Sequence, residues 1–360
     1  MAKNGCLNNQ NQYIPQLSIL ICTRNGEKKL QKVINHIAAQ ENISKHAFDI
    51  LVVDNASTDR TPEVAANAIE KAGVNGRVLT EPCVGKINAF VKGVYEARGN
   101  LISIIDDDNF ISPNFVYYTL NIFENYPSVG MTGSSNSILT DRPLPNWFSW
   151  TRGRYGCSEP LLEEIEEESS DGILIARTAI IAGAGSTFRA TPLLKCLDKG
   201  YRFFNDTQRS RDMKVTGEDT ELCWLVRSMG YKFACDPRIE LHHAVESERL
   251  ELQEFKLLCK TIGAGSLGCD PFIFTYKYSS KWLPFKWTWQ WQLLSKLKRY
   301  FYFVLFPGSN GNSTGERRFR NWMSKVECMG AIKRIISERE NYTEHIRQVA
   351  CGKWTELRVR

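Results

Sequence analysis

The sequence has no run of 18 apolar residues anywhere in its 360 positions, so no ordinary transmembrane helix is expected. It lacks a GxGxxG after its first apolar segment, and it lacks GxxxxGK followed by Ser or Thr. A dinucleotide oxidoreductase and a P-loop NTPase are therefore disfavoured. None of its eleven cysteines forms a CxxC pair or shows metal-type spacing, which fits buried free thiols in a reducing compartment. The opening stretch, MAKNGCLNNQNQYIPQ, has no apolar core and does not read as a signal peptide. Acids are scarce near the C-terminus. Residues 281–360 hold 16 Lys and Arg against 6 Asp and Glu, while the first 280 hold 30 against 34. A near-neutral body with a basic tail points to an anionic partner for the tail, membrane phosphate or nucleic acid.

What is present is organised around Leu101–Phe110, LISIIDDDNF. A short β-branched apolar run bounded by polar residues reads as a buried strand. Side chains two apart in a strand share a face, so Asp106 and Asp108 are expected together and Asp107 turned away. Two carboxylates ~4 Å apart repel by ~1 kcal/mol even in water. Such a pair suggests a hard cation, Mg²⁺, Mn²⁺ or Ca²⁺ rather than zinc; a solvated acidic turn is the alternative.

Strands and helices alternate before this point. Gln16–Cys22 is a strand ending at Thr23-Arg24-Asn25-Gly26, and Lys28–Gln40 has helical spacing. Phe48–Val53 is a strand that stops at Asp54-Asn55-Ala56-Ser57-Thr58-Asp59, and a helix follows over residues 61–72. Residues 77–80 form a third strand and 85–97 a third helix. The alternation implies an α/β fold with a parallel, doubly wound sheet. Ligands bind such sheets outside the strand C-termini, where all three polar clusters fall. They are expected to converge there.

SILICTRN, ILVVDNASTDRT and GNLISIIDDDN, followed by Pro113, resemble the nucleotide-sugar-binding half of family 2 glycosyltransferases of the GT-A fold. The likeness is nearest to cyanobacterial-type members of polysaccharide assembly, such as hormogonium polysaccharide glycosyltransferases, and covers residues 15–260. It implies a GT-A sheet with helices on both faces, a nucleoside-diphosphate-sugar donor and Mn²⁺ or Mg²⁺. It places Thr23, Arg24, Asn25, Asp54 and Asn55 around the donor base and ribose, with Asp107 beside them. Asp106 and Asp108 become the metal motif, Asp108 the more direct ligand. Two departures matter: Asn55 stands where many members have Asp, and Ala89-Phe90-Val91 stands where many have Ala-Arg-Asn. Lys86 is then the cation facing the nucleotide, or a solvated helix-start lysine. The Gly-bearing stretch 180–189 resembles one lying between donor and acceptor, so Ala184 and Gly185 line the site.

Gly217-Glu218-Asp219 opens a helix whose buried stripe is Leu222, Leu225, Val226 and Met229. Acids suit a helix start regardless of function. The resemblance gives them more: Asp219 as catalytic base and Glu218 orienting it or the acceptor. In Glu240-Leu241-His242-His243 one imidazole faces each side, and His242 is the expected metal or diphosphate contact. Residues 201–214 are read as a lid over the diphosphate, and 163–171 as a solvated acidic loop. Trp147, Trp150 and Arg152 lie on a loop that either packs or meets acceptor.

The expected organisation is a disordered N-terminus (1–14), a GT-A domain (15–268, halves 15–135 and 136–268) and a basic, aromatic helical extension (269–360). Interleaved Trp, Tyr, Lys and Leu over 281–306 suit an interfacial helix on an anionic membrane, or core packing. Nucleic acid is not expected, because no RNA-binding or helix-turn-helix pattern accompanies the charge. The reading is a metal-dependent, inverting transferase acting on a glycan or lipid-linked acceptor, cytoplasmic and peripheral to the inner membrane face. The alternatives are a sugar nucleotidyltransferase, or a non-catalytic scaffold that binds nucleotide sugar.

Overall fold

The computed structural model describes residues 14–205, 215–277, 284–306, 314–352 and 354. The expected disordered N-terminus up to residue 13, most of the polar part of the expected lid (206–214) and the start of the aromatic stretch lie outside the described residues. Four strands alternate with three helices at the start: β1 (Leu17–Thr23), α1 (Leu30–Ala38), β2 (Phe48–Asp54), α2 (Thr61–Ala72), β3 (Gly76–Thr80), α3 (Lys86–Glu96) and β4 (Leu101–Ile104). Then come β5 (Asn109–Ile111), α4 (Phe115–Asn125), β6 (Val129–Leu139), β7 (Leu161–Glu168), β8 (Leu174–Ile180) and β9 (Thr187–Arg189). The remainder is α5 (Ala190–Asp198), α6 (Glu218–Ser228), β10 (Lys232–Ala244), α7 (Leu252–Gly265), α8 (Asp270–Lys277), α9 (Trp289–Leu305), α10 (Thr314–Ser337) and α11 (Arg339–Cys351).

The ten strands of the described residues form one sheet, ordered β3-β2-β1-β4-β9-β6-β10-β8-β7, with β5 on β10. The β3-β2-β1-β4 block and the β6-β10 pair are parallel; β9, β8, β7 and β5 run antiparallel to their neighbours. Every residue of β2 is buried, as a parallel strand covered on both faces requires. Alternation sorts its side chains: Ile50 and Val52 join Val33, Ile37 and Ala65 on one face. Leu51 and Val53 join Ile87, Phe90 and Leu222 on the other. Helices therefore flank both faces, as the sequence implies.

One local expectation changes. The acidic run at 163–168 is not a loop but the edge strand β7, whose Glu164 and Glu166 meet Arg227, Arg177 and Lys232. Charged side chains on an edge discourage further strand pairing. Strand β10 runs through Pro237 to Ala244, with a shift of register between Cys235 and Glu240 that accommodates the proline.

The extension packs on the sheet's body. Helices α7 and α10 cross at two glycines: a Cβ on Gly263 would lie 1.9 Å from the Glu327 carbonyl, and one on Gly330 2.0 Å from that of Lys260. Met323 and Val326 of α10 join Phe148, Tyr155, Phe255 and Cys259 in one core, and Phe204 packs with Ala331, Ile335, Tyr342 and Ile346 in another. Among the described residues no helix is long and apolar enough to cross a membrane.

Candidate active site

The three strand-end clusters meet at one rim. Asn25, in the left-handed conformation with φ 59°, donates its N–H to Ser57 Oγ at 2.8 Å and accepts from the Thr58 N–H at 2.9 Å. Asparagine tolerates that conformation better than most side chains. The Gly26 N–H donates to Thr61 Oγ1 at 2.8 Å. Thr23 Oγ1 donates to Asp107 Oδ2 at 2.5 Å. The Asn55 N–H donates to the Thr23 carbonyl at 2.8 Å. Gly26 is required by space: a Cβ there would stand 2.4 Å from Thr23 Oγ1.

Within this rim the donor-side candidates separate. Asp54 is buried, and its Oδ1 accepts no hydrogen bond from any described residue. A buried carboxylate oxygen without a partner is costly, so it suits a polar group of a ligand. Asn55, in contrast, is engaged: its amide donates to the Cys83 carbonyl at 2.7 Å, and its Oδ1 accepts from the Gly85 N–H at 2.7 Å. It fixes the loop entering α3, and the expected contact with the base is not available to its side chain in this arrangement. Arg24 is exposed at the rim.

The triple-Asp turn is divided. Strand β4 ends at Ile104, so pleat alternation does not extend through the acids. Asp106 Oδ1 lies 3.1 Å from Lys86 Nζ, and the same ammonium is 3.4 Å from Glu218 Oε1. Asp106, and with it Glu218, raises the Lys86 pKa well above the ordinary lysine value against the opposing effect of burial. Asp107 is not turned away but faces Thr23, and burial raises its carboxyl pKa. Asp108 Oδ1 is 3.5 Å from His243 Nε2, and its Oδ2 is 3.9 Å from Arg249 Nη1. Burial opposes ionisation of Asp108, but His243 and then Arg249 outweigh it and hold the pKa below the usual value.

The histidine assignment is corrected. His242 is exposed and its Nδ1 lies 2.6 Å from Ser137 Oγ, whereas His243 is buried against Asp108. The signal was in the sequence: Ile239 and Leu241 point inward on β10, and the next inward position by alternation is 243. His243 Nδ1 lies 2.8 Å from the Tyr155 carbonyl, so an Nδ1–H donated there turns Nε2 toward Asp108. Asp108 thus lies against His243 rather than His242, while Asp106 meets Lys86. Among the described residues no three His, Cys, Asp or Glu side chains cluster closely enough to hold a metal by themselves.

The second half of the site is the N-terminus of α6. Asp219 Oδ2 accepts from the Gly183 N–H at 2.9 Å, and its Oδ1 accepts from the Thr220 N–H at 2.7 Å. Burial, then the adjacent Glu218 charge, raise its carboxyl pKa. Gly185 has φ 76°, and a Cβ there would overlap Ser134 Oγ, so it supports the turn beside Asp219. The Ala184 carbonyl accepts from Asn136 Nδ2 at 3.1 Å. Lys86 joins the two halves, because it contacts both Asp106 and Glu218.

Sequence reasoning missed Glu221 and Arg334. Glu221 is fully buried and accepts from Tyr201 Oη at 2.7 Å, the Phe204 N–H at 2.8 Å and the Asn205 N–H at 3.0 Å. Arg334 of α10, also fully buried, donates to Asn205 Oδ1 at 2.7 Å and the Phe204 carbonyl at 2.8 Å. Asn205 Nδ2 in turn donates to the Gly217 carbonyl at 3.0 Å, immediately before Glu218. Nothing local in the sequence joins residues 205, 221 and 334; the helix packing does.

Comparison with known proteins bears on the fold and the family. Residues 18–156 match the model of glycosyl transferase family 2. A probable glycosyltransferase, YdaM of Bacillus subtilis, is 31% identical over 141 residues, 38% of this chain and 33% of its own. An uncharacterised glycosyltransferase of Nostoc is 25% identical over 116 residues, 32% of this chain and 35% of its own. The dodecaprenyl-phosphate galacturonate synthase of Rhizobium johnstonii is 26% identical over 156 residues, 40% of this chain and 46% of its own. The chain thus spans between a third and a half of the length of these relatives. The mannosyltransferase PcManGT of Pyrobaculum calidifontis, solved with GDP-Man and Mn²⁺, superposes with a TM-score of 0.54 at 15% identity, over 91% of this chain and 88% of that one. That likeness establishes the fold, a mostly parallel sheet of the GT-A type. Residues 18–156 are thus similar to the family 2 glycosyltransferase domain.

Proposed function

We propose that the protein transfers a sugar, with inversion, from a nucleoside-diphosphate sugar to a glycan or lipid-linked acceptor in polysaccharide or cell-surface glycan synthesis. The observation that carries this reading is the double contact of Lys86, which ties the triple-Asp turn to the Glu218-Asp219 helix start in one cleft. The buried, unpartnered Asp54 oxygen supports donor binding at the end of β2. Asp219 is held by two backbone N–H groups with its pKa raised, which suits a base near neutral pH. It takes the proton of the acceptor hydroxyl as that oxygen bonds to the anomeric carbon. The nucleoside diphosphate leaves from the opposite face with the bonding electron pair. Glu218, paired with Lys86, keeps a negative charge beside Asp219 and so favours its proton uptake.

Asp108 offers a carboxylate and His243, once its Nε2 gives up the proton that pairs it with Asp108, an imidazole. That set fits a divalent cation shared with substrate phosphates rather than one caged by protein. When bound there, Mn²⁺ or Mg²⁺ would supply charge stabilisation for the departing diphosphate. Arg249 and Lys29 add positive charge near Asp108. PcManGT, of similar fold, was solved with GDP-Man and Mn²⁺; the same classes of donor and metal are proposed here.

A thermal-shift panel of nucleotide sugars with and without Mn²⁺ identifies the donor, and a transfer assay with it tests the base. Asp219→Asn is expected to keep the donor-induced shift and to slow transfer by at least ~100-fold. Transfer at the wild-type rate would remove Asp219 from this role. No shift with any nucleotide sugar would overturn the donor-binding reading.

A further inference from the structure

Residues 271–315 contain six Lys or Arg and no Asp or Glu. Helix α9 lies within this stretch, and one of its sides is fastened to the molecule. Gln292 and Phe303 are buried there, and Lys296 Nζ is 2.8 Å from Asp270 Oδ2. Asn321 Nδ2 of α10 donates to the carbonyls of Phe303 and Phe306, each at 3.2 Å.

The other side is open. Leu294, Lys298, Phe301 and Leu305 succeed one another at steps of four, three and four, which places them in one stripe along the helix. Leu294 and Phe301 are each 56% exposed and Leu305 is 70% exposed. Tyr302 and Val304 widen the stripe, and Phe285 is exposed just before the helix. Lys298 is the charge on this side; Arg299 lies 5.7 Å over the ring of Phe303, toward the fastened side. A continuous apolar face of this kind on a folded protein marks a contact surface.

We propose that this face of α9 seats on an anionic lipid bilayer surface, with Leu294, Phe301 and Leu305 entering the interface and Lys298 at headgroup phosphates. The inference goes beyond the sugar-transfer reading and does not depend on it. Three observations select this occupant. Bulky apolar side chains alternate with basic ones on a helix too short and polar to cross, which is the pattern of an interfacial helix. A second copy packed on the same face by two-fold symmetry would set Lys298 against its own kind, with no acid over residues 271–315 to pair it. A nucleic acid would use the cations but leave Leu294, Val304 and Leu305 without a role.

Flotation of the full chain with vesicles tests it. Wild type is expected to float with phosphatidylcholine containing about 30% phosphatidylglycerol, and at least about tenfold less with phosphatidylcholine alone. The double variant Phe301→Ser/Leu305→Ser and the single variant Lys298→Glu should each lower the bound fraction by about tenfold or more. All three side chains are exposed, so circular dichroism and Tm should be unchanged. The proposal is overturned if wild type stays with the unbound protein on anionic vesicles, or if both variants float as it does. It is equally overturned if light scattering finds a dimer that Phe301→Ser/Leu305→Ser dissociates, since a second copy would then cover the face.

Discussion

At the scale of single residues, the site is a division of labour among neighbours in sequence. Asp106, Asp107 and Asp108 are consecutive, yet one meets Lys86, one Thr23 and one His243. His243→Ala is expected to raise the Mn²⁺ concentration needed for half-maximal transfer by about 10–100-fold, while His242→Ala leaves it unchanged. A metal titration of the transfer rate for both variants checks this, and equal effects would return His242 to consideration. Glu221 supplies a pH signature. Burial raises its pKa from the ordinary 4.5 to about 7. An acid with a raised folded-state pKa binds more protons folded than unfolded, so its contribution to stability falls as pH rises from the unfolded value through the folded one. Between pH ~4.5 and ~7 that loss is up to about 3 kcal/mol. Urea midpoints of wild type and Glu221→Gln across this range should converge in slope on the Gln side, with the variant the flatter.

At the scale of elements, packing overrides what local sequence suggests. Residues 163–168 are acidic enough to read as a solvated loop, but their backbone pairs with β8 and their charges meet cations on neighbouring elements. Pairing is a property of the partner strand, which no window of the sequence contains. The α7–α10 crossing is similar: Gly263 and Gly330 are unremarked in sequence and required in contact, because each faces the other helix's backbone. Gly330→Ala is expected to destabilise by about 1–3 kcal/mol, since backbone cannot move aside as a side-chain end can. Gly315→Ala on the same helix, where a Cβ meets nothing within 4 Å, should cost nothing and gain slightly from helix propensity. Chemical denaturation of the two variants separates these outcomes.

At the scale of the whole molecule, the C-terminal helices are part of the site's support. Arg334 reaches from α10 to Asn205 and Phe204, and Asn205 reaches Gly217 at the start of α6. Arg334→Met removes one partner from a buried charged network and is expected to destabilise by about 3 kcal/mol or more. It should also lower Tm in proportion, as thermal unfolding followed by circular dichroism would record. The alternation of β1 to β4, the polar strand ends and the acids at 106–108 could all be read from sequence alone. Those features depend on local periodicity and on the rule that strand C-termini share one rim. The inward position of His243 was also readable, by continuing the alternation of Ile239 and Leu241. What only the tertiary structure decided is which acid meets which cation, that Asn55 is engaged by the α3 loop, and that α10 packs on α7. Each depends on groups far apart in the chain brought within a few ångströms, and that distance is set by sheet order and helix crossing rather than by any neighbouring residue.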